Sequence, residues 1–119
     1  MTHNDPTVRL HHMLDHARET CKLAEGRSPA SIEADRLLSL ALTRLLEIVG
    51  EAAAGVPKHV REQYSGIPWS QIIGLRNRLI HGYDAVDFAI LCDIIQSDLP
   101  PLIDELKKIL GDKTADRDS

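Results

Sequence analysis

One short stretch of the chain, residues 75–83, combines side chains that could act together on a phosphodiester. It carries a cation at Arg76, an amide at Asn77 and an imidazole at His81. Histidine exchanges protons near neutral pH, and a guanidinium matches the geometry and charge of phosphate oxygens. Arg76 and His81 are therefore the candidate catalytic residues. Asn77 and Arg78 are candidate substrate-binding residues.

The apolar spacing around this stretch predicts a helix from about Trp69 to His81, with Gly82 as its stop. On such a helix Asn77 and His81 are four residues apart and share a ridge. His81 would lie in the last turn, where the helix dipole favours a protonated ring. The long side chain of Arg76 could curl back to a position beside that ring.

The same residues carry a family resemblance. The pattern Arg76-Asn77-x-x-x-His81-x-Tyr83 resembles the signature of the HEPN superfamily, and Gly82-Tyr83 is similar to its HepT-like branch. Members of that branch are the toxin halves of HepT/MntA toxin–antitoxin pairs. Residues 48–52, 67–69 and 98–102 resemble the branch in kind and order, so the likeness covers roughly residues 7–110.

The resemblance implies an all-α bundle that forms a symmetric homodimer and cuts RNA without a metal ion or other cofactor. A histidine would deprotonate the ribose 2′-hydroxyl, Arg76 would stabilise the developing charge, and a histidine would protonate the leaving oxygen. One motif supplies one imidazole, so His81 of each of two chains would serve a shared cleft. The resemblance also implies that a partner nucleotidyltransferase, similar to MntA, attaches AMP to Tyr83.

Composition predicts one domain over residues 1–119, with flexible ends at 1–6 and 112–119. The scarcity of aromatic residues, beside abundant Leu, Ile and Ala, favours packed helices over a sheet. No apolar run approaches eighteen residues and the N-terminus is polar, so we expect a cytoplasmic protein with no membrane span. Cys21 and Cys92 lack ligand or redox spacing, and we expect two free, partly buried thiols.

The net charge of −4 argues against a general nucleic-acid binder, but the charge is unevenly distributed. Residues 57–83 hold four Lys or Arg against one Glu, and also three of the four aromatic residues. The single basic segment is therefore the one that carries the motif. A local basic and aromatic patch on an acidic body favours a confined phosphate site.

Apolar periodicity and breaker residues predict four main helices and a short one. The expected ranges are 7–25, 29–54, a short helix at 57–64, the motif helix at 69–81, and a last helix from Asp87 to Gly111. Asp87 is the expected N-cap of the last helix. Pro100 and Pro101 predict one bent helix there, or two abutting ones.

Several alternatives remain open from the sequence. Glu51 could pair with Arg76 or simply lie exposed on its helix. The histidines at 11, 12 and 16, with Asp15, could suggest a metal site, but no third ligand is evident and a polar helix face is favoured. A catalytically silent module that docks a nucleotidyltransferase or a nucleotide is the main alternative function. A purely structural helical dimer would leave the basic segment unexplained.

Overall fold

The computed structural model describes residues 5–82 and 85–111, and it confirms the all-α prediction. The helices are α1 (Pro6–Ala24), α2 (Pro29–Ala34), α3 (Arg36–Ala54), α4 (Lys58–Gln63), α5 (Trp69–Ile73), α6 (Leu75–Leu79), α7 (Phe88–Asp93) and α8 (Leu99–Leu110). Two short strands, β1 (Ile80–His81) and β2 (Ala85–Val86), and a π-helical turn (Ile94–Asp98) complete the described chain. None of the described helices combines the length and apolar content needed to cross a bilayer.

The core lies between α1, α3 and the long C-terminal helix. One face of α1 buries Leu10, Leu14 and Ala17 at helical spacing, as the sequence predicts. This face packs most extensively on α3, and α1 also contacts α8. α3 is apolar on a wide stripe because it also contacts α5 and α6 on its other flank. It is therefore the central helix that positions the motif.

The predicted helix at 29–54 is wrong in one respect, because the chain breaks at Asp35. Asp35 is extended and its carboxylate accepts the backbone N–H of Leu38 at 3.1 Å, which makes it the N-cap of α3. Arg27 also forms an ion pair with this carboxylate at 3.3 Å. The bonds from Leu38 and then Arg27 hold the pKa of Asp35 below its usual range. A capped start of α3 here replaces one continuous helix with two.

The predicted motif helix at 69–81 is also wrong in two places. It breaks at Gly74, a poor helix former, and α6 ends at Leu79. β1 then pairs with β2 in an antiparallel ladder that sets His81 opposite Ala85. Gly82 is not a helix stop but part of the connecting turn, where its φ of 71° suits glycine. His81 therefore lies on a hairpin and not in a last helical turn.

The C-terminal helix runs from α7 through the π-helical turn into α8 without a gap. Asp87 caps its start by accepting the N–H of Ile90 at 3.0 Å, as predicted. Pro100 and Pro101 lie in the first turn of α8, directly after the π-helical turn, where the helix is irregular. The expected alternatives are one bent helix or two abutting ones, and the chain instead stays helical through both prolines with one irregular turn before them. Gly111 ends α8 in a left-handed conformation.

α3 and α5 approach each other closely at Gly50. A Cβ built on Gly50 would lie 3.1 Å from the carbonyl oxygen of Ile72 and 3.5 Å from that of Ile73. Glycine therefore permits backbone-to-backbone contact at this point. The contact fixes the distance between α3 and the start of the motif helix α6.

Gly50→Val should lower the free energy of unfolding by about 1–3 kcal/mol, because the added side chain must push α5 away from α3. Ala54→Val, on the exposed face of the same helix, is the matched control and should cost less than about 1 kcal/mol through helix propensity alone. Urea denaturation followed by circular dichroism measures both. Equal losses in the two variants would show that the approach at Gly50 is not tight.

Candidate active site

Arg76 on α6 is held from one side by α3. Its Nε donates to Oε2 of Glu47 at 3.1 Å, and the side chains are 59% and 21% exposed respectively. This bond uses Nε, the guanidinium nitrogen nearest the aliphatic part of the side chain. Within the described residues, the two terminal amino groups of Arg76 make no hydrogen bond. The guanidinium is thus oriented by one carboxylate and presents its outer edge to solvent, a geometry suited to an incoming phosphate.

Arg76 borders a cavity of about 700 Å³ between α3 and the hairpin. The side chains of Arg36 and Arg44 line it as well, against one carboxylate, Glu47. Its apolar wall is formed by Leu40, Ile80, Val86 and Phe88. We call it the arginine cavity. Arg76 is paired with Glu47, and Arg44 with Glu51 at 3.1 Å, so three guanidiniums and two carboxylates leave one net positive charge at the cavity, which favours an anion.

His81 is presented on the hairpin, with its side chain 62% exposed. Its Nε2 lies 4.0 Å from Oδ2 of Asp87, the same residue whose other oxygen caps α7. The hairpin is closed by a bond from the Asp87 N–H to the Leu79 carbonyl at 3.0 Å. The sequence identified Asp87 only as a cap. Its carboxylate also lies near the imidazole.

The two predicted substrate-binding residues have different surroundings. Asn77 is exposed and lines two smaller depressions, of about 550 and 210 Å³. Arg78 donates from Nη1 to Oδ2 of Asp98 at 2.7 Å, with the two side chains 34% and 21% exposed. Asp98 ends the π-helical turn, so this pair ties the motif helix to the C-terminal helix. A substrate role for Arg78 stays a prediction, because a phosphate would have to share its guanidinium with Asp98.

Tyr83, the predicted modification site, lies outside the described residues. Its neighbours on the chain are described: Gly82 turns the backbone after β1, and Ala85 begins β2.

The partner of Arg76 is a residue that the sequence did not indicate. Glu51 does not pair with Arg76; it lies exposed and pairs with Arg44 at 3.1 Å. Glu47, one turn earlier on α3, makes the bond instead. Two glutamates four residues apart on one helix cannot be distinguished by periodicity. Only the contact between α3 and α5 decides which of them faces α6.

Metal-ligand chemistry has little support in the described part of the chain. No group of three His, Cys, Asp or Glu side chains there is arranged to hold a metal ion. His16 uses Nδ1 to donate to the carbonyl of His12 at 2.7 Å, which is a helix-surface contact. Cys21 and Cys92 are both free, with one half-buried and one buried, as predicted. Burial raises the pKa of both thiols, so they are protonated near neutral pH.

Comparison with known sequences matches this chain to one protein family and to several ribonuclease relatives. The sequence model of the ribonuclease HepT-like family matches residues 13–109. A candidate RNase of Caldanaerobacter subterraneus subsp. tengcongensis is 36% identical over 105 residues, which cover 88% of this chain and 94% of that protein. A candidate RNase of Methanocaldococcus jannaschii is 29% identical, with 90% of this chain and 98% of that protein covered. A candidate ribonuclease HepT of Thermococcus cleftensis is 33% identical over 75 residues, which cover 63% of this chain and 68% of that protein. No solved structure shows a significant match.

The Arg78–Asp98 pair should have a coupling energy of about 1 kcal/mol or more in a double-mutant cycle, because it is short and half-buried. The cycle uses Arg78→Met, Asp98→Asn and both together, with stability measured by urea denaturation. The matched control is the Arg44–Glu51 pair, whose side chains are 59% and 63% exposed. Its coupling should be no more than about 0.5 kcal/mol. Equal coupling in the two pairs would remove the structural role assigned to Asp98.

Proposed function

The chain belongs to the ribonuclease HepT-like family, and on that premise we propose that it is a metal-independent endoribonuclease whose site contains Arg76 and His81. The observation that carries the proposal is the arginine cavity. Arg76 presents its outer edge at the rim, two further guanidiniums line the wall, and the hairpin that carries His81 forms one side. His81 itself does not line this cavity, but its neighbour Ile80 does, and the proposed RNA backbone would run from the cavity onto the exposed face of the hairpin.

In the proposed reaction the imidazole of His81 takes the proton of the ribose 2′-hydroxyl. The freed oxygen attacks the adjacent phosphorus, and Arg76 stabilises the negative charge that develops on the phosphoryl oxygens. A second imidazole, already protonated, gives its proton to the departing 5′-oxygen. The products are a 2′,3′-cyclic phosphate and a 5′-hydroxyl, so no water and no metal ion enter this step.

The second imidazole is proposed to come from another copy of this chain. Each motif supplies one histidine, and an acid and a base are both needed. Leu37 and Leu40 on α3 support such a pairing, because their exposed fractions are 82% and 50% and Leu40 also lines the arginine cavity. Apolar side chains beside a catalytic cleft favour burial by a second subunit. A two-fold axis near this surface would bring two copies of His81 to one cleft.

The proposed biological role is that of the toxin in a toxin–antitoxin pair, with an MntA-like nucleotidyltransferase as its partner. Tyr83 follows Gly82 directly and is two residues from His81 along the chain. AMP attached there would add a phosphate and a bulky nucleoside two residues along the chain from the catalytic imidazole. The added negative charge would compete with the substrate phosphate for Arg76 and would silence the enzyme.

Cleavage of RNA should persist in excess EDTA and leave 2′,3′-cyclic phosphate ends. His81→Ala should reduce its rate by about 10²–10⁴-fold, because proton transfer is lost. His11→Ala is the matched control, since His11 is an exposed histidine on α1, outside the basic segment 57–83 and the hairpin. It should cleave as the wild type does. Activity that disappears in EDTA and returns with Mg²⁺ would refute the mechanism, and a wild type that cuts no RNA would favour the docking module.

Tyr83→Phe should cleave RNA at the wild-type rate but escape silencing when the partner nucleotidyltransferase and ATP are added. The chain has two tyrosines, so Tyr64→Phe is the matched control and should still be silenced. Intact mass and RNA cleavage are measured for both variants, with and without the partner. A Tyr83→Phe protein that is inactive without any partner would instead place this hydroxyl in the catalytic machinery.

A further inference from the structure

A second cavity, of about 550 Å³, lies on the surface formed by α4, α5 and the start of α6. It belongs to the basic segment 57–83 that the sequence singles out, and the proposed reaction does not use it. Its cations are Lys58 and Arg61, its hydroxyls come from Ser65 and Ser70, and Glu62 is its one carboxylate. We call it the α4–α5 cavity.

The two cations of the α4–α5 cavity differ from the arginines of the motif. Arg76 and Arg78 are each engaged by a carboxylate. Within the described residues, neither Lys58 nor Arg61 forms an ion pair. Arg61 is nevertheless oriented, because its Nε donates to the carbonyl of Val56 at 2.8 Å. An oriented guanidinium beside an exposed ammonium is able to bind a phosphate without first releasing a carboxylate.

The floor of the α4–α5 cavity is apolar and rigid. Trp69 is 9% exposed, and its indole N–H donates to the carbonyl of Tyr64 at 3.1 Å, which fixes the ring. Ile73 lies beside it. A fixed indole edge and an aliphatic side chain can pack against the flat surface of a nucleobase, and the volume falls in the range of small-ligand sites. The cavity thus offers a place for a base next to a place for a phosphate.

The α4–α5 cavity is continuous with the candidate active site through α6. Asn77 lines this cavity and also a depression of about 210 Å³, and Arg76 lines that depression and the arginine cavity. Consecutive residues of one helix therefore join three concave surfaces. A single strand of RNA that crosses Arg76 would reach the α4–α5 cavity by passing over Asn77.

We propose that the α4–α5 cavity binds one nucleotide of the substrate RNA that flanks the cut site. Lys58 and Arg61 bind its phosphate, and its base packs against Trp69 and Ile73. The proposal rests on the proposed ribonuclease function and adds a binding subsite to it. It requires a single-stranded segment, because a base must leave its helical stack to enter the cavity.

The experiment uses a single-stranded RNA with 2′-fluoro sugars, which lacks the attacking hydroxyl and cannot be cut by the proposed route. Its binding to the full chain is followed by fluorescence anisotropy of a dye on the RNA, and by the emission of Trp69, the only tryptophan. We expect saturable quenching of Trp69 with the same Kd as the anisotropy. Lys58→Glu should raise that Kd about tenfold or more, because a phosphate contact is replaced by repulsion.

Lys22→Glu is the matched control, because it makes the same charge change at an exposed lysine of α1 that lines none of the described cavities. It should change the Kd by less than about twofold, through long-range electrostatics alone. Three results would each overturn the subsite. They are equal effects of the two substitutions on the Kd, RNA binding without any change in Trp69 emission, and no RNA binding at all. Cleavage of ordinary RNA is measured in parallel. A wild type that shows the expected binding but no cleavage would overturn the proposed function and leave the cavity as an RNA-binding site without a cut site beside it.

Discussion

The close contact between α3 and α5 at Gly50 is the constraint on which the candidate site depends. The missing side chain lets the backbone of α5 lie against α3, and α6 follows α5 after a single glycine. Arg76 on α6 is thereby brought within reach of Glu47, three residues before Gly50 on α3. A wider spacing would leave the Arg76 side chain without its carboxylate and free to adopt many rotamers. The orientation of the proposed catalytic cation is therefore set by a packing contact in the core.

The two arginines of α6 differ in how their charges are paired. Arg78 is bound by Asp98 at 2.7 Å and joins α6 to the C-terminal helix, whereas Arg76 is held only at Nε and stays more exposed. The first arrangement favours rigidity, and the second leaves donors available to a ligand. His81 on the hairpin also has an acidic neighbour, because Asp87 caps α7 and its other carboxylate oxygen lies 4.0 Å from the imidazole. Each proposed catalytic group is thus supported by an acidic residue from a neighbouring element.

The sequence predicts the helix boundaries whose signals lie within a few residues of the boundary. The spacing of Leu10, Leu14 and Ala17 predicts α1, Asp87 predicts the start of α7, and Gly111 predicts the end of α8, because each signal acts within a few residues. The sequence does not predict the hairpin, because its strands are only two residues long. Strands this short cannot show the alternation of apolar and polar residues that marks a strand.

The sequence does not predict the Arg76–Glu47 pair either, for a different reason. It joins residues 29 positions apart, and nothing in the sequence separates Glu47 from Glu51. The sequence does not predict the break at Asp35, because the apolar pattern continues through it, although aspartate is among the residues favoured at N-caps. The motif residues could therefore be named from the sequence. Their supporting contacts required the three-dimensional structure.

A catalytic cleft shared by two chains is tested most directly by subunit mixing. Wild-type chain is unfolded and refolded with an excess of chain carrying both Arg76→Ala and His81→Ala, and RNA cleavage per wild-type chain is measured. An excess of His11→Ala chain, which should itself cleave RNA, serves as the control, with cleavage counted per chain that keeps Arg76 and His81, and light scattering verifies the assembly in each mixture. If each cleft needs an imidazole from both chains, cleavage per wild-type chain should fall in proportion to the fraction of mixed dimers. Cleavage per wild-type chain that does not change with the inactive excess would contradict the shared site.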